Sequence, residues 1–489
     1  MRINVIIPIV GPVLIILAIM QLVPILINAD NWMVYVLSAN ISAIIGLVCV
    51  LTGKKNFGTM STIEISTTTT VLWIMIILLS SIPFIIHPTT NMSFANALFE
   101  TTSGLTTTGS TIIDDMNRIP KDILLWRITT NFIGGIGVVI GITCTIFRIK
   151  LNNMQLFSIE TSDSEVVLPN HIKTSSAMIV AYIALIILCT ICYALAGMHD
   201  IFNAISYAIT TVSTTGFSNN NQSIGQFHSI SIEYIAIIFM ILSSSPLTIY
   251  LSIFNKKIKK FYHSEQIKYY IITIVSLTAI LALWVSLKQI SYPRQNTNSW
   301  AKLTEEIFRH AIFGITSLIS TTGFTGSNHA LWAAFPTTLI FFLTFIGGCG
   351  SSTAGGIKFF RIMIMLKSTK NHILKMIKPG IVKINKIDGK IIDTEASELT
   401  HNFFFLFIVV FAITTIALTI NGVDGINAMS AAIGALSNAG SGINAHIQGL
   451  GNYSEMNNIC KYTLSITMLI GRLEIFNVIA ILAPYNWHK

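Results

Sequence analysis

Charge is scarce in this chain: 10% of its 489 residues are Asp, Glu, Lys or Arg, against 52% hydrophobic and a mean hydropathy of +0.70. That balance excludes an ordinary soluble globular protein of this size. Cysteine is scarce as well. The six present, Cys49, Cys144, Cys189, Cys192, Cys349 and Cys460, lie in or beside apolar runs. Cys189 and Cys192 have the spacing of half a metal site, but no second Cys or His pair answers them, and a structural zinc needs four convergent ligands. The eleven histidines include no HExxH pair. Paired carboxylates and a nucleophile elbow are also missing from the apolar runs, so the residues argue against an enzyme and call for no cofactor.

What the chain has in quantity is long apolar segments. Ten of them, at roughly 4–28, 34–52, 68–87, 122–148, 174–197, 230–254, 268–289, 333–365, 401–420 and 459–483, read as membrane-spanning helices. The first is longer than the core of a signal peptide and has no small-residue cleavage site, so it is expected to be retained. With the N-terminus placed inside, Arg2, Lys54, Lys55, Arg148, Lys150, Lys173, the cluster at 256–268, the cluster at 358–390 and Lys489 share one face. The positive-inside rule makes that face cytoplasmic, next to acidic lipid. The net charge of +9 is then mostly topological and gives no reason to expect nucleic acid.

The stretch Thr101 to Ile113, TTSGLTTTGSTII, recurs three times in altered form. Its core, Thr107-Thr108-Gly109, is echoed by Thr214-Thr215-Gly216, Thr321-Thr322-Gly323 and Asn438-Ala439-Gly440. The marker glycines at 109, 216, 323 and 440 are 107, 107 and 117 residues apart. Small residues in membrane helices often serve only close packing, but close packing demands no long-range period. The chain is therefore expected to be a fourfold repeat, with 1–60 an added helix pair, 64–150 the first repeat, 171–257 the second, 266–365 the third and 398–484 the fourth.

Each core follows a short apolar segment: Phe94 to Leu105, Ile201 to Val212, Ile307 to Ile319 and Ile426 to Leu436. These are too short to cross a bilayer. Backbone that re-enters a membrane in extended form is tolerated only where it is buried in protein or lines a watery cavity. Four short helices aiming their negative C-terminal ends at one axis favour a cation there, and the Thr-Thr-Gly strands can turn carbonyls toward it as potassium filters do. Glycine at the marker suits φ > 0. Thr107, Thr108, Gly109, Thr214, Thr215, Gly216, Thr321, Thr322, Gly323, Asn438, Ala439 and Gly440 are thus the expected potassium-binding residues. The expected fold is all-α and membrane-integral, with four helix, pore-helix, filter, helix units around one pore.

Two features depart from plain repetition. The second helix of repeat three is interrupted by Gly347, Gly348, Cys349, Gly350, Ser351, Ser352, Thr353, Ala354, Gly355 and Gly356. Each Gly costs a helix about 0.8 to 1.0 kcal/mol relative to Ala, so an intramembrane loop is expected over 347–356, placed to gate the pore. The other feature is Arg472, a charge inside an apolar helix, which costs about 2.5 to 3.5 kcal/mol on insertion scales and marks function by default. Glu474 lies on nearly the opposite side of the same helix, so the partners of Arg472 must come from elsewhere, with the 347–356 loop the natural source. A salt bridge to another helix would be the purely structural alternative.

TTSGLTTTGST, NFIGGIGVVI, GGCGSSTAGGIKFFR and GRLEIF together resemble the Trk/Ktr/HKT superfamily of potassium transporters over essentially the whole chain. The N-terminal helix pair and QLFSIETSDSE are similar to the bacterial Trk members. This resemblance implies potassium as the transported ion, one pore in each protomer of a homodimer, a filter glycine in each repeat, an intramembrane loop as gate and a pore arginine matching Arg472. It also implies a cytoplasmic nucleotide-binding regulator of the TrkA type, for which the basic linker 366–399 offers a docking surface. Where relatives often carry Gly-Pro-Gly in the fourth filter, this chain has Gly440-Ser441-Gly442. A sodium- or proton-coupled secondary cation transporter is the rival reading, but such proteins carry ionisable groups at mid-membrane. Here only Arg472 and Glu474 are expected well inside an apolar span, so the sequence favours a channel-like path.

Overall fold

The computed structural model describes residues 3–53, 62–152, 171–254, 264–288, 300–325, 334–379, 386–392, 394–440 and 453–482. Among the described residues seven helices are long and apolar enough to cross a membrane. Two of them, Ile3–Gln21 and Trp32–Thr52, form the N-terminal pair. They approach closely at Gly11 and Gly46, where a Cβ on Gly11 would lie 2.7 Å from the Gly46 carbonyl oxygen, the small-residue contact expected where helices pack in lipid. Ile6, Val10, Leu14 and Tyr35 of the pair share a buried cluster with Trp73, Ile76 and Ile77, so the pair leans on the outer helix of repeat one.

The four repeats then follow. Their outer helices are Thr62–Ser80, His171–Leu195, Glu265–Lys288 and Thr394–Ile420, and their pore helices Phe94–Leu105, Ile201–Val212, Trp300–Ile319 and Gly425–Leu436. Exposed Ile183, Ile187, Ile191, Val275, Leu283, Ile413 and Ile416 give the outer helices an apolar face toward lipid. The third pore helix starts at Trp300 rather than Ile307, because the polar residues before the apolar segment are themselves good helix formers.

The inner helices differ from the expected single spans. Only the first, Lys121–Asn152, is continuous. The run 230–254 is Ile230–Ser243 and Leu247–Phe254, broken at Pro246, which has no N–H to continue the ladder. The run 333–365 gives Ala334–Leu343 and Phe359–Ile377 with non-helical backbone between. The run 459–483 gives Asn458–Arg472 and Ile475–Leu482, interrupted where Glu474 adopts φ +62. Beyond the third inner helix, Lys386–Ile387 and Lys390–Ile391 pair as a two-stranded hairpin.

Candidate functional site

Side-chain caps fix where three of the pore helices begin. Ser93, Asp200 and Asp424 accept from the main-chain N–H of Asn96, Phe202 and Ile426, satisfying donors that the first turn leaves free. All four helices end in the same motif. Thr108 N donates to Ser103 O (2.8 Å), Thr215 N to Thr210 O (3.0 Å), Thr322 N to Ser317 O (2.9 Å) and Ala439 N to Gly434 O (3.0 Å). The residue before each donor is left-handed: Thr107 at φ +53, Thr214 at +56, Thr321 at +55 and Asn438 at +49. This is a Schellman cap, normally given to glycine. A β-branched threonine in that conformation is a strained outlier, and such strain gathers at functional sites.

The marker glycines are left-handed as well, at φ +85 for Gly109, +74 for Gly216, +75 for Gly323 and +72 for Gly440. Their neighbours close a ring. A Cβ on Gly109 would run into the Thr215 carbonyl oxygen, and one on Gly216 into that of Thr322. A Cβ on Gly323 would lie 2.6 Å from Ala439 O, and one on Gly440 2.7 Å from Thr108 O. Each repeat thus abuts the next, and the fourth returns to the first. Hydroxyl pairs of 2.7 Å brace three strands, Thr106 with Thr108, Ser213 with Thr215 and Ser320 with Thr322. The fourth strand has Ala439 and lacks that brace; instead Asn438 Nδ2 donates to Thr108 Oγ1 at 3.0 Å and to Met468 O at 2.9 Å. Ser441 and Gly442 lie outside the described residues.

Directly against this ring sits the 347–356 segment, buried from Gly347 through Gly355. Its ends are pinned to each other by Gly347 N to Ile357 O (2.9 Å) and Ile357 N to Phe345 O (3.0 Å). Its middle is held by three repeats. Thr353 Oγ1 lies 3.2 Å from Val212 O and 3.5 Å from Thr214 Oγ1, Gly355 N donates to Thr321 Oγ1 at 2.7 Å, and Arg472 Nη1 donates to Thr353 O at 2.9 Å. Cys349 N bonds Ser244 O, and Leu247 N, just past Pro246, bonds Ser351 O. Ser352 Oγ turns back on Cys349 O at 2.6 Å; Gly348 O accepts from Phe359 N, Ser351 and Gly356 take φ +57 and +66, and Gly350 lies in the turn. Thr107 makes no such contact, and its hydroxyl has no hydrogen-bond partner among the described residues.

Arg472 keeps two donors, Nε and Nη2, without a hydrogen-bond partner among the described residues, and the Tyr182 hydroxyl is likewise unpaired. Buried polar groups are normally satisfied by protein or water, so these donors suit a watery cavity. Glu474 does not pair with Arg472; it meets Arg361 at 3.1 Å, and the Arg361 guanidinium lies 4.0 Å from the centroid of Phe403.

Several groups here were not singled out from the sequence. Lys358 Nζ donates to Ser352 O at 3.2 Å and to Ala354 O, holding the loop's exit. Behind the first strand of the ring, Glu100 and Arg127 form an ion pair of 2.6 Å that is almost wholly buried, and Arg309 pairs with Glu233 and Glu305. The expectation that only Arg472 and Glu474 lie well inside apolar spans is therefore corrected. A carboxylate in a short apolar helix, as at Glu100, was the available signal.

Four membrane-embedded repeats that meet in one closed ring define an integral membrane transport protein built around a single pore. Comparison with known proteins narrows that class. A family model described as TrkH, cation transport protein, matches residues 33–489, and the chain belongs to that family. It is 30% identical to the Trk system potassium uptake protein TrkH of Vibrio parahaemolyticus, over 85% of this chain and 84% of that protein. It is also 30% identical to TrkG of Escherichia coli over the same shares. The crystal structure of the potassium transporter TrkH from Vibrio parahaemolyticus superposes with a TM-score of 0.89, at 27% identity and covering all of both chains.

Proposed function

We propose that this protein takes up potassium across the bacterial inner membrane through the ring of four strands. Main-chain carbonyls of Thr107, Thr108, Gly109 and their counterparts in the other repeats replace the ion's water shell. The observation that carries this reading is the cyclic contact of each marker glycine with the carbonyl preceding the next marker. Carbonyls carried by strands in such close contact gain from a cation between them.

Below the filter, residues 347–356 act as the gate and Arg472 as an electrostatic barrier within it. A guanidinium is charged in any protein environment, and two unit charges 4 Å apart repel by about 4 kcal/mol at an effective dielectric of 20. The named relatives are potassium uptake proteins and a potassium transporter, which favours potassium among the cations. The protein works as a homodimer with its N-terminus in the cytoplasm, regulated by a TrkA-type nucleotide-binding subunit docked on the basic face. Ion flux from the purified protein in liposomes, compared for potassium, rubidium and sodium, tests the reading. Potassium and rubidium are expected to pass in preference to sodium, and equal passage of all three would overturn it.

A further inference from the structure

Strands with left-handed residues and no ladder of their own need side chains to hold them, and the ring is not held alike on all sides. Glu100, on the first pore helix, and Arg127, on the first inner helix, are both nearly inaccessible to solvent. Glu100 Oε1 accepts from Arg127 Nε at 2.6 Å and from Thr111 Oγ1 at 3.0 Å; Oε2 accepts from Ile112 N at 3.0 Å. Arg127 Nη1 donates to Ser218 O at 2.8 Å, and its guanidinium lies 3.5 Å from the centroid of the Phe217 ring. Thr111 stands two residues beyond Gly109 and Ser218 two residues beyond Gly216. One buried ion pair therefore grips the first and second filter strands at the same repeat position, beside the Gly109–Thr215 contact.

The geometry points to Glu100 and Arg127 as specificity-determining positioning residues, which fix the spacing of the first two filter strands and through it the discrimination between cations. This rests on the filter reading above. The planar guanidinium suits the task because its donors reach a carboxylate and a carbonyl in fixed directions while its face stacks on an aromatic ring. A lysine in its place could keep the charge but not the fork. The other buried pair provides a contrast. Among the described residues Arg309 bonds only carboxylates, Glu233 and Glu305, and has no hydrogen bond to a filter strand.

Relative flux of potassium, rubidium and sodium through the full-length protein in liposomes tests the assignment. Replacing a buried ion pair by apolar residues of similar volume is often neutral for stability, so the double variant Glu100→Leu with Arg127→Met is suited to keep the fold while releasing both strands. It is expected to conduct with a several-fold lower preference for potassium over sodium. Arg127→Lys, a milder change, should fall between it and the parent, and Arg309→Lys should leave the preference unchanged. An unchanged preference in Arg127→Lys and in the folded double variant overturns the assignment, as does an equal loss in Arg309→Lys. Gly109→Ser separates the two levels. If it lowers the preference while the Arg127 variants do not, only the positioning role falls; if no variant moves it, the filter reading falls as well.

Discussion

Arg472 and Thr353 are joined by one hydrogen bond, 2.9 Å from Nη1 to the main-chain oxygen, which ties the fourth inner helix to the middle of the glycine-rich loop of the third. Two residues further on, Glu474 holds Arg361 at 3.1 Å, just past the same loop. The break between Arg472 and Ile475 thus grips one segment at two points. The left-handed Glu474 that makes the break possible is held by its ion pair to repeat three.

Removing Arg472 should open the pore. A hydrogen bond from a charged donor contributes about 1.5 to 3 kcal/mol, and each 1.4 kcal/mol is about a factor of ten in an equilibrium. Arg472→Ala is therefore expected to raise basal potassium flux about tenfold or more, with no cytoplasmic partner present. Arg472→Lys should retain much of the barrier. Liposome flux of folded variants decides, and an Ala variant no faster than the parent would return Arg472 to a structural role.

The loop itself should restrict flow without choosing the ion. Thr353→Val keeps the shape of the side chain but removes the hydroxyl that donates to Val212 O and Ser243 O, a net loss of about 0.5 to 1.5 kcal/mol for a typical hydrogen bond. Flux should rise with the potassium-to-sodium ratio unchanged, Thr353→Ser should behave as the parent, and partial deletion of 347–356 should raise flux further. Loss of transport in well-folded deletion protein would remove the gate.

How much of this was legible depended on whether local chemistry or tertiary contact fixed each feature. Pore helices beginning at Phe94 and Ile201 could be read because each is a short apolar run directly before a repeated Thr-Thr-Gly core, and Ser93 and Asp200 cap them where those runs begin. The loop at 347–356 showed itself through glycine. Pro246, preceded by three serines, carried a comparable signal within the longer apolar run 230–254. The turn at Glu474 gave none, since its partner Arg361 is 113 residues away. Threonine in the left-handed Schellman position was equally hidden, because sequence propensity assigns that position to glycine and only the packed ring overrides it.

Regulation should reach the protein through its basic face. Lys375 is in the last turn of Phe359–Ile377, Lys378 is its C-cap and Lys386 begins the hairpin; Lys383 lies outside the described residues. Lys367 is already engaged, 2.6 Å from Glu265. Neutralising Lys375, Lys378, Lys383 and Lys386 together should weaken binding of the nucleotide-binding partner, and the remaining binding should depend less on salt. Co-purification that withstands both the substitutions and high salt would place the docking surface elsewhere.

The filter prediction turns on the space beside Gly109. Two costs add at that position: a side chain at φ +85 is strained, and its Cβ would displace the Thr215 carbonyl. Gly197, also left-handed at φ +109, has no atom within 4 Å of such a Cβ, so the same substitution there carries the backbone strain without the collision. Gly109→Ser is expected to lower potassium-to-sodium discrimination while the protein still inserts, and Gly197→Ser to leave discrimination intact. Comparing relative permeability in the two variants separates filter geometry from general backbone strain. Equal permeability ratios in Gly109→Ser and the parent would take Gly109 out of the filter, and equal losses in both variants would assign the effect to strain alone.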